Sequence, residues 1–216
     1  MTLHAMLTLS SDGTTCHEYA WRMGRWQPDA RTRLERAAVE LFAERGFDDV
    51  TVPEITSRAG LTTRTFFRHF ADKREVLFAD AELMPALAAR LVADAPPGAA
   101  PMAVMADGLP VLAAAFEGRL AQLTQHKAVI ERSPALRERE LRKMEQIVDA
   151  IAAAWRHRGV DALTAAVVAE TSVGVVKVSL RNWIDTGGSR PLASIMAATL
   201  KRLGDSFGSP TTDATT

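Results

Sequence analysis

The side chains best suited to gripping a charged partner crowd into one short stretch, Thr62-Thr63-Arg64-Thr65-Phe66-Phe67-Arg68-His69-Phe70. From Arg58 to Phe70 there are three Arg, one His and no carboxylate. On a helix advancing about 100° per residue, Phe66, Phe67 and Phe70 fall within an arc of roughly 100°. Arg64 and Arg68, one turn apart, then lie on the opposite face with Thr65, and His69 sits at its edge. An Arg fork matches guanine O6 and N7, so Arg64 and Arg68 suit base readout in a DNA major groove, with Thr65 and His69 as secondary partners. Hydroxyls, helix N-termini and ammonium groups suit phosphates, which assigns Thr51, Thr62, Thr63 and Lys73 to the backbone.

Catalytic chemistry finds little support. No G-x-S-x-G, H-E-x-x-H, Walker A or G-x-G-x-x-G occurs, and the five His, at 4, 17, 69, 126 and 157, are dispersed. The single cysteine, Cys16, excludes an internal disulfide and fits a reduced, cytoplasmic setting. Cys16 beside His17 lacks the second cluster that a metal site needs. No enzyme, metal or cofactor is expected.

The elements that must position the cationic stretch are legible around it. Thr51 and Glu54 stand at capping-box spacing, and Val50 and Ile55 at hydrophobic-staple spacing, so a helix should begin at Val52 with Pro53 in its first turn. Gly60 suits the left-handed residue that closes it. Thr62 then caps a second helix from Thr63 to Phe70, and Asp72 with Glu75 repeats the capping-box spacing to open another at Lys73. Upstream, Leu34, Ala37, Ala38, Leu41 and Phe42 give a helix over 29–45 one apolar face. Gly46 should close it in a Schellman ending, with Phe47 folded back.

These residues resemble the DNA-binding domain of the TetR family of transcriptional regulators. The resemblance covers Pro28 to about Asp80 and rests on AAVELFAERGFDDVTV, the AGL turn, the T-x-F-x-H-F helix and D-K-x-x-x-L, in that order. It implies an all-α protein with a three-helix head over 28–75. A larger helical domain for ligand binding and dimerisation follows over 76–207. The family often has Tyr where Phe67 stands. Without a hydroxyl, Phe67 would touch DNA through sugar or a thymine methyl. In such regulators the helix after the head swings as a lever, which places the lever at Lys73–Asp94, with a kink expected at Pro85.

The rest of the chain reads as helix throughout, about nine helices in all. APPGAAP, 95–101, breaks the chain, and five helices follow near 101–117, 119–132, 134–157, 160–185 and 190–206, with Pro110 expected to disturb the first. Over 134–157, Leu141, Met144, Val148, Ile151 and Trp155 form a heptad-like seam. Val160–Val178 is apolar, but Glu170 and Lys177 interrupt it, which argues against a membrane span. Its Ala162, Ala165, Ala166, Ala169 and Gly174 permit close helix approach. The resemblance implies that the last two helices pair with a second subunit.

It also implies a small-molecule effector. IERSPALRERELRKMEQI and the Trp183-Ile184 helix end are similar to actinobacterial regulators, mycofactocin-type ones among them, whose ligands include acyl-CoA thioesters. Met84, Met102, Met105, Phe116 and Trp155 are candidates for an apolar pocket, and His126, Arg132 and Lys177 for an anionic headgroup. Residues 1–27 share little with the head and read as a flexible extension, of which 1–22 is expected to be either an upstream extension or a mis-called start. The polar tail 208–216 reads as disordered.

Charge leaves an alternative open. The 216-residue chain has 26 Lys+Arg and 26 Asp+Glu, and residues 28–75 hold nine of each. A neutral total argues against strong non-specific nucleic-acid binding. The expected function is a ligand-responsive repressor on double-stranded operator DNA. A helical ligand-binding or interaction protein that has lost DNA binding is the alternative.

Overall fold

The computed structural model describes residues 29–78 and 83–207. The expected N-terminal extension, Cys16 and the C-terminal tail lie outside the described residues. Among those described there are nine α-helices and no strand. The head consists of α1 (Ala30–Arg45), α2 (Val52–Ala59), α3 (Thr63–His69) and a 3-10 turn (Glu75–Phe78). The body holds α4 (Leu83–Ala93), α5 (Pro101–Phe116), α6 (Leu120–Arg132), α7 (Pro134–His157), α8 (Ala162–Asp185) and α9 (Leu192–Phe207).

Local sequence sets each boundary in the head. Asp29 starts α1 by accepting the Thr32 N–H at 2.8 Å. Gly46 ends it with φ 89° and ψ 160°, so the turn is not the left-handed Schellman closure expected. Phe47 nevertheless folds back edge-on to Phe42, ring centroids 5.1 Å apart. The Glu54 carboxylate accepts both the N–H (2.8 Å) and the hydroxyl (2.7 Å) of Thr51, fixing the entry to α2. Gly60 closes α2 at φ 64°, ψ 39°, and Leu61 N–H returns to Thr56 O at 2.8 Å. Thr62 caps α3 by accepting the Thr65 N–H at 3.2 Å.

Leu34, Phe42, Ile55, Phe66 and Phe78 lie at the centre of the head's core. That core reaches into the body: Val129 and Ile130 of α6 and Leu136 of α7 are buried in it. The body has two further cores. One gathers Ala88, Val92, Val104, Ile151, Trp155 and Ala165, and the other Leu109, Val175, Trp183, Leu192 and Met196. In the body α4 packs on α7, α7 on α8, α8 on α9, and α9 on α5.

Four expectations are corrected. The continuous lever helix over Lys73–Asp94 is not formed: Asp72 accepts the N–H groups of Arg74 and Glu75 (2.7 and 3.2 Å) and starts a 3-10 turn instead. Pro85 sits in the first turn of α4, where its missing N–H costs no helix bond, rather than at a mid-helix kink. Pro110 does not interrupt α5: it lies on an exposed face of the helix, as does Ala106, whose carbonyl loses its helix partner there. The seam of α7 buries Ile151 and Trp155 but leaves Leu141 63% exposed, since the N-terminal half of α7 turns Leu136 into the head's core instead.

The small residues of α8 divide between two faces. Ala165 and Ala169 are fully buried against α7, while Ala162 and Ala166 are open with Leu163, Val167 and Val178. Among the described residues, α8 alone is long and apolar enough to cross a membrane. Its buried face packs into the body, however, and Glu170 and Lys177 break its open face.

Candidate nucleic-acid interface

α3 has only two turns, too few to be helical by itself, so packing must hold it. Phe66 and Phe70 supply that packing: both are buried, with ring centroids 5.5 Å apart. Phe67 is not part of this keel. It stands 56% exposed, edge-on to Phe66 at 5.4 Å, because one residue of helical rotation carries it past the rim of the core. The solvent face of α3 therefore shows Thr63, Arg64, Phe67 and Arg68, with Thr65 and His69 half-buried beside them.

The neutral charge of the head resolves into local pairings. Seven of its nine cations are engaged by the head's own oxygens. Arg31 pairs with Glu35, Arg36 with Glu40, and Arg74 with Asp72. Arg45 binds Glu54 and the Asp49 carbonyl, and Arg58 binds Glu44 with both terminal nitrogens at 3.0 Å. Arg33 and Lys73 bind main-chain carbonyls. Arg64 and Arg68 remain, meeting no carboxylate or carbonyl among the described residues. Arg68 Nη2 lies 3.4 Å from His69 Nε2. The two cations not spent inside the head are thus the two on the open face of α3.

Two phosphate assignments do not match this geometry. The Lys73 ammonium donates to Phe47 O (2.7 Å), Val50 O (2.8 Å) and Asp48 O (3.2 Å), which uses all three of its protons. The Thr51 hydroxyl donates to Glu54, so its single proton is committed as well. Thr62 spends its oxygen on the α3 cap but lies exposed, as does Thr63. Arg58, read from sequence as one of the unaccompanied bases, is tied to α1 by Glu44. That partner is 14 residues away, so local spacing gave no signal. The hydrogen bond from Arg45, the largest cause, and the two from Thr51 hold the Glu54 carboxyl down at about 2, against an ordinary 4.5.

In the body, two of the sequence-proposed ligand residues, Met105 and Trp155, line the same cavity. It is an apolar space of about 50 Å³ between α4, α5, α7 and α8, lined also by Leu91, Val104, Gly108 and Ile151. Leu91, Val104 and Gly108 also line a second, wider cleft of about 290 Å³ that opens past Arg90, Asp94 and Asp107. Met102 is 48% exposed, and Phe116 packs in the core around Leu192. Arg132 and Lys177 are exposed, His126 lies on α6 and Met84 in the first turn of α4, all off both cavities. Gly108 was missed, although a glycine within a helix is a signal of close approach: a Cβ there would sit 3.4 Å from Leu91 Cδ1.

A helix-turn-helix with an open cationic face, buttressed by a larger helical body, defines a DNA-binding regulator of the two-domain helical type. Residues 35–79 match the family of bacterial regulatory proteins named after TetR, and residues 100–208, about half of the chain, match the MftR C-terminal domain. The chain belongs to the TetR family of transcriptional regulators. It is 34% identical over 128 residues to the HTH-type transcriptional regulator TcmR of Streptomyces glaucescens, 54% of each chain. To MftR of Mycobacterium tuberculosis it is 39% identical over 59 residues, 27% of this chain and 30% of the relative. The chain thus spans about half the length, or less, of these curated relatives, which are regulators and not enzymes. Its fold is that of FadR from Thermus thermophilus, a TetR-family repressor solved with lauroyl-CoA: TM-score 0.55, 24% identity, covering 86% of this chain and 99% of that one.

Proposed function

We propose that the protein is a dimeric repressor that holds operator DNA through α3 and releases it when an apolar, acyl-bearing effector enters the body. The observation that carries this reading is the selective exposure of Arg64 and Arg68, the only head cations not engaged by a carboxylate or carbonyl among the described residues. In this reading both arginines read base edges, and Thr65 and His69 assist. Phe67 meets a thymine methyl or sugar, and the Thr62 and Thr63 hydroxyls meet phosphates. A single α3 gives a small footprint, and the open apolar face of α8, Leu163, Val167 and Val178, offers the surface for a second copy.

The effector enters the cavity beside Met105 and Trp155, next to the wider cleft with which it shares Leu91, Val104 and Gly108. The inner space of about 50 Å³ is far below the roughly 300–1,000 Å³ of ordinary ligand pockets. Binding therefore has to part α4 from α5 or α7, which gives the effector its preference for a second conformation. The experiment is direct. A complex with fluorescent DNA from beside the protein's own gene is titrated with lauroyl-CoA, with CoA alone as the control. Release by the acylated compound only is expected. Retention of DNA at saturating lauroyl-CoA would remove the acyl-effector part of the reading.

A further inference from the structure

We infer that Lys73 and Arg33 are positioning residues for DNA recognition, which fix α3 from its two ends by binding main-chain carbonyls and do not touch DNA. The inference rests on the DNA-binding reading above and adds how the recognition helix is held.

Lys73 follows α3 by four residues, yet its ammonium sits inside the loop between α1 and α2. It lies 2.7 Å from Phe47 O, 2.8 Å from Val50 O and 3.2 Å from Asp48 O, and 4.3 Å above the centre of the Phe47 ring. Three carbonyls converging on one point match the three tetrahedral protons of an ammonium. The exit of α3 is thereby tied to the entry of α2, across 23 to 26 residues of sequence. The neighbouring carbonyl, Asp49 O, is taken by Arg45 at 2.6 Å.

Arg33 does the same at the other end. From α1 its Nη2 donates to Ala59 O and, at 3.3 Å, to Gly60 O, the carbonyls at the close of α2. A cation there satisfies carbonyls that the helix leaves unpaired and opposes the negative end of its dipole. It also packs under Gly60, where a Cβ would meet Arg33 Nη2 at 3.0 Å. The turn that launches α3 is thus held by Arg33 and the segment that leaves it by Lys73. Between them lie two helical turns whose angle sets which base edges Arg64 and Arg68 reach.

A phosphate-binding lysine and a carbonyl-binding lysine respond differently to Lys73→Arg. Arginine keeps the charge that a phosphate needs, but its planar fork cannot converge on three carbonyls around one point. DNA binding is measured by fluorescence anisotropy on the duplex from beside the gene and on a shuffled duplex, over a salt series, for wild type, Lys73→Arg, Lys73→Met and Arg33→Met. Circular dichroism confirms folding at the assay temperature. All three variants should lose about tenfold or more of the preference for the cognate duplex, as expected for a lost charge-assisted bond. Their salt slopes should stay at the wild-type value. Wild-type affinity in Lys73→Arg, with a slope shallower by about one in Lys73→Met, would make Lys73 a phosphate ligand and overturn the inference.

If a variant does not fold, the wild-type protein decides by NMR of the Lys73 ammonium. Slowly exchanging protons whose shift is unchanged by cognate DNA support the carbonyl site, and a shift on DNA addition overturns it. Absence of any sequence preference in the wild type is a failure of the DNA-binding reading, seen separately from the variants, and the positioning roles would fall with it.

Discussion

Arg139 grips Glu75 with two parallel hydrogen bonds, Nε to Oε1 at 2.6 Å and Nη2 to Oε2 at 2.8 Å, across 64 residues of sequence. The pair joins α7 to the 3-10 turn behind the recognition helix, and the same guanidinium lies 5.0 Å over the Phe78 ring. Both side chains are mostly buried, 16% and 29% exposed, which sets this contact apart from the head's surface pairs. Bidentate geometry with partial burial makes it worth more than the 0–1 kcal/mol typical of an exposed ion pair.

A double-mutant cycle with Arg139→Met and Glu75→Gln should therefore give a coupling of about 1.5–3 kcal/mol in unfolding free energy. Additive effects of the two substitutions would reduce the pair to a surface contact.

Gly60→Val should lower DNA affinity while the body stays folded. Residue 60 stands at φ 64°, where a β-branched side chain is strained, and the added Cβ would press on Arg33 Nη2. The cost is about 1–3 kcal/mol, confined to the head. Unchanged affinity for the cognate duplex would contradict this account of the turn.

That turn also shows how much was legible in the sequence. Caps and closures act within three or four residues, so Thr51–Glu54, Gly60 and Thr62 could be placed, and with them α2 and α3. The body helices followed from Pro, Gly and the 3.6-residue period. Long-range contacts were not legible. Arg58–Glu44, Lys73 with the 47–50 carbonyls and Arg139–Glu75 link positions 14 or more residues apart, and no spacing rule reaches that far. The lever helix failed for the same kind of reason. Asp72 and Glu75 fit the capping-box pattern, but Phe78 and Val76 are drawn into the head's core through a tighter turn.

The Arg45–Glu54–Thr51 network predicts a pH response. Because the folded carboxyl of Glu54 titrates at about 2 against an ordinary 4.5, its contribution to stability is complete above about 4.5 and is lost as pH falls toward 2. NMR titration of the Glu54 side-chain carbon should show a midpoint near 2. Arg45→Met should raise it toward 4.5, since the Arg45 hydrogen bond is the largest cause. A wild-type midpoint at 4.5 would show the network absent in solution.

Gly108→Leu should separate the two activities. The glycine lies in α5 and lines both the smaller cavity and the wider cleft, away from the head. A leucine there occupies the space and shields Met105 and Trp155. Release of DNA by lauroyl-CoA should weaken at least tenfold, on the order of the 1–3 kcal/mol cost of overpacking, with DNA affinity unchanged. An unaltered lauroyl-CoA response would move the effector site elsewhere.

The most direct test concerns α3. Binding to the duplex from beside the gene and to a shuffled duplex is compared at one salt concentration for wild type, Arg64→Ala and Arg68→Ala. Wild type should prefer its own duplex. Each alanine variant should lose about 1–3 kcal/mol of that preference, with the shuffled duplex affected much less. Equal binding of both duplexes by the wild type, or an undiminished preference in both variants, would contradict the assignment of the open face of α3 as the reading surface.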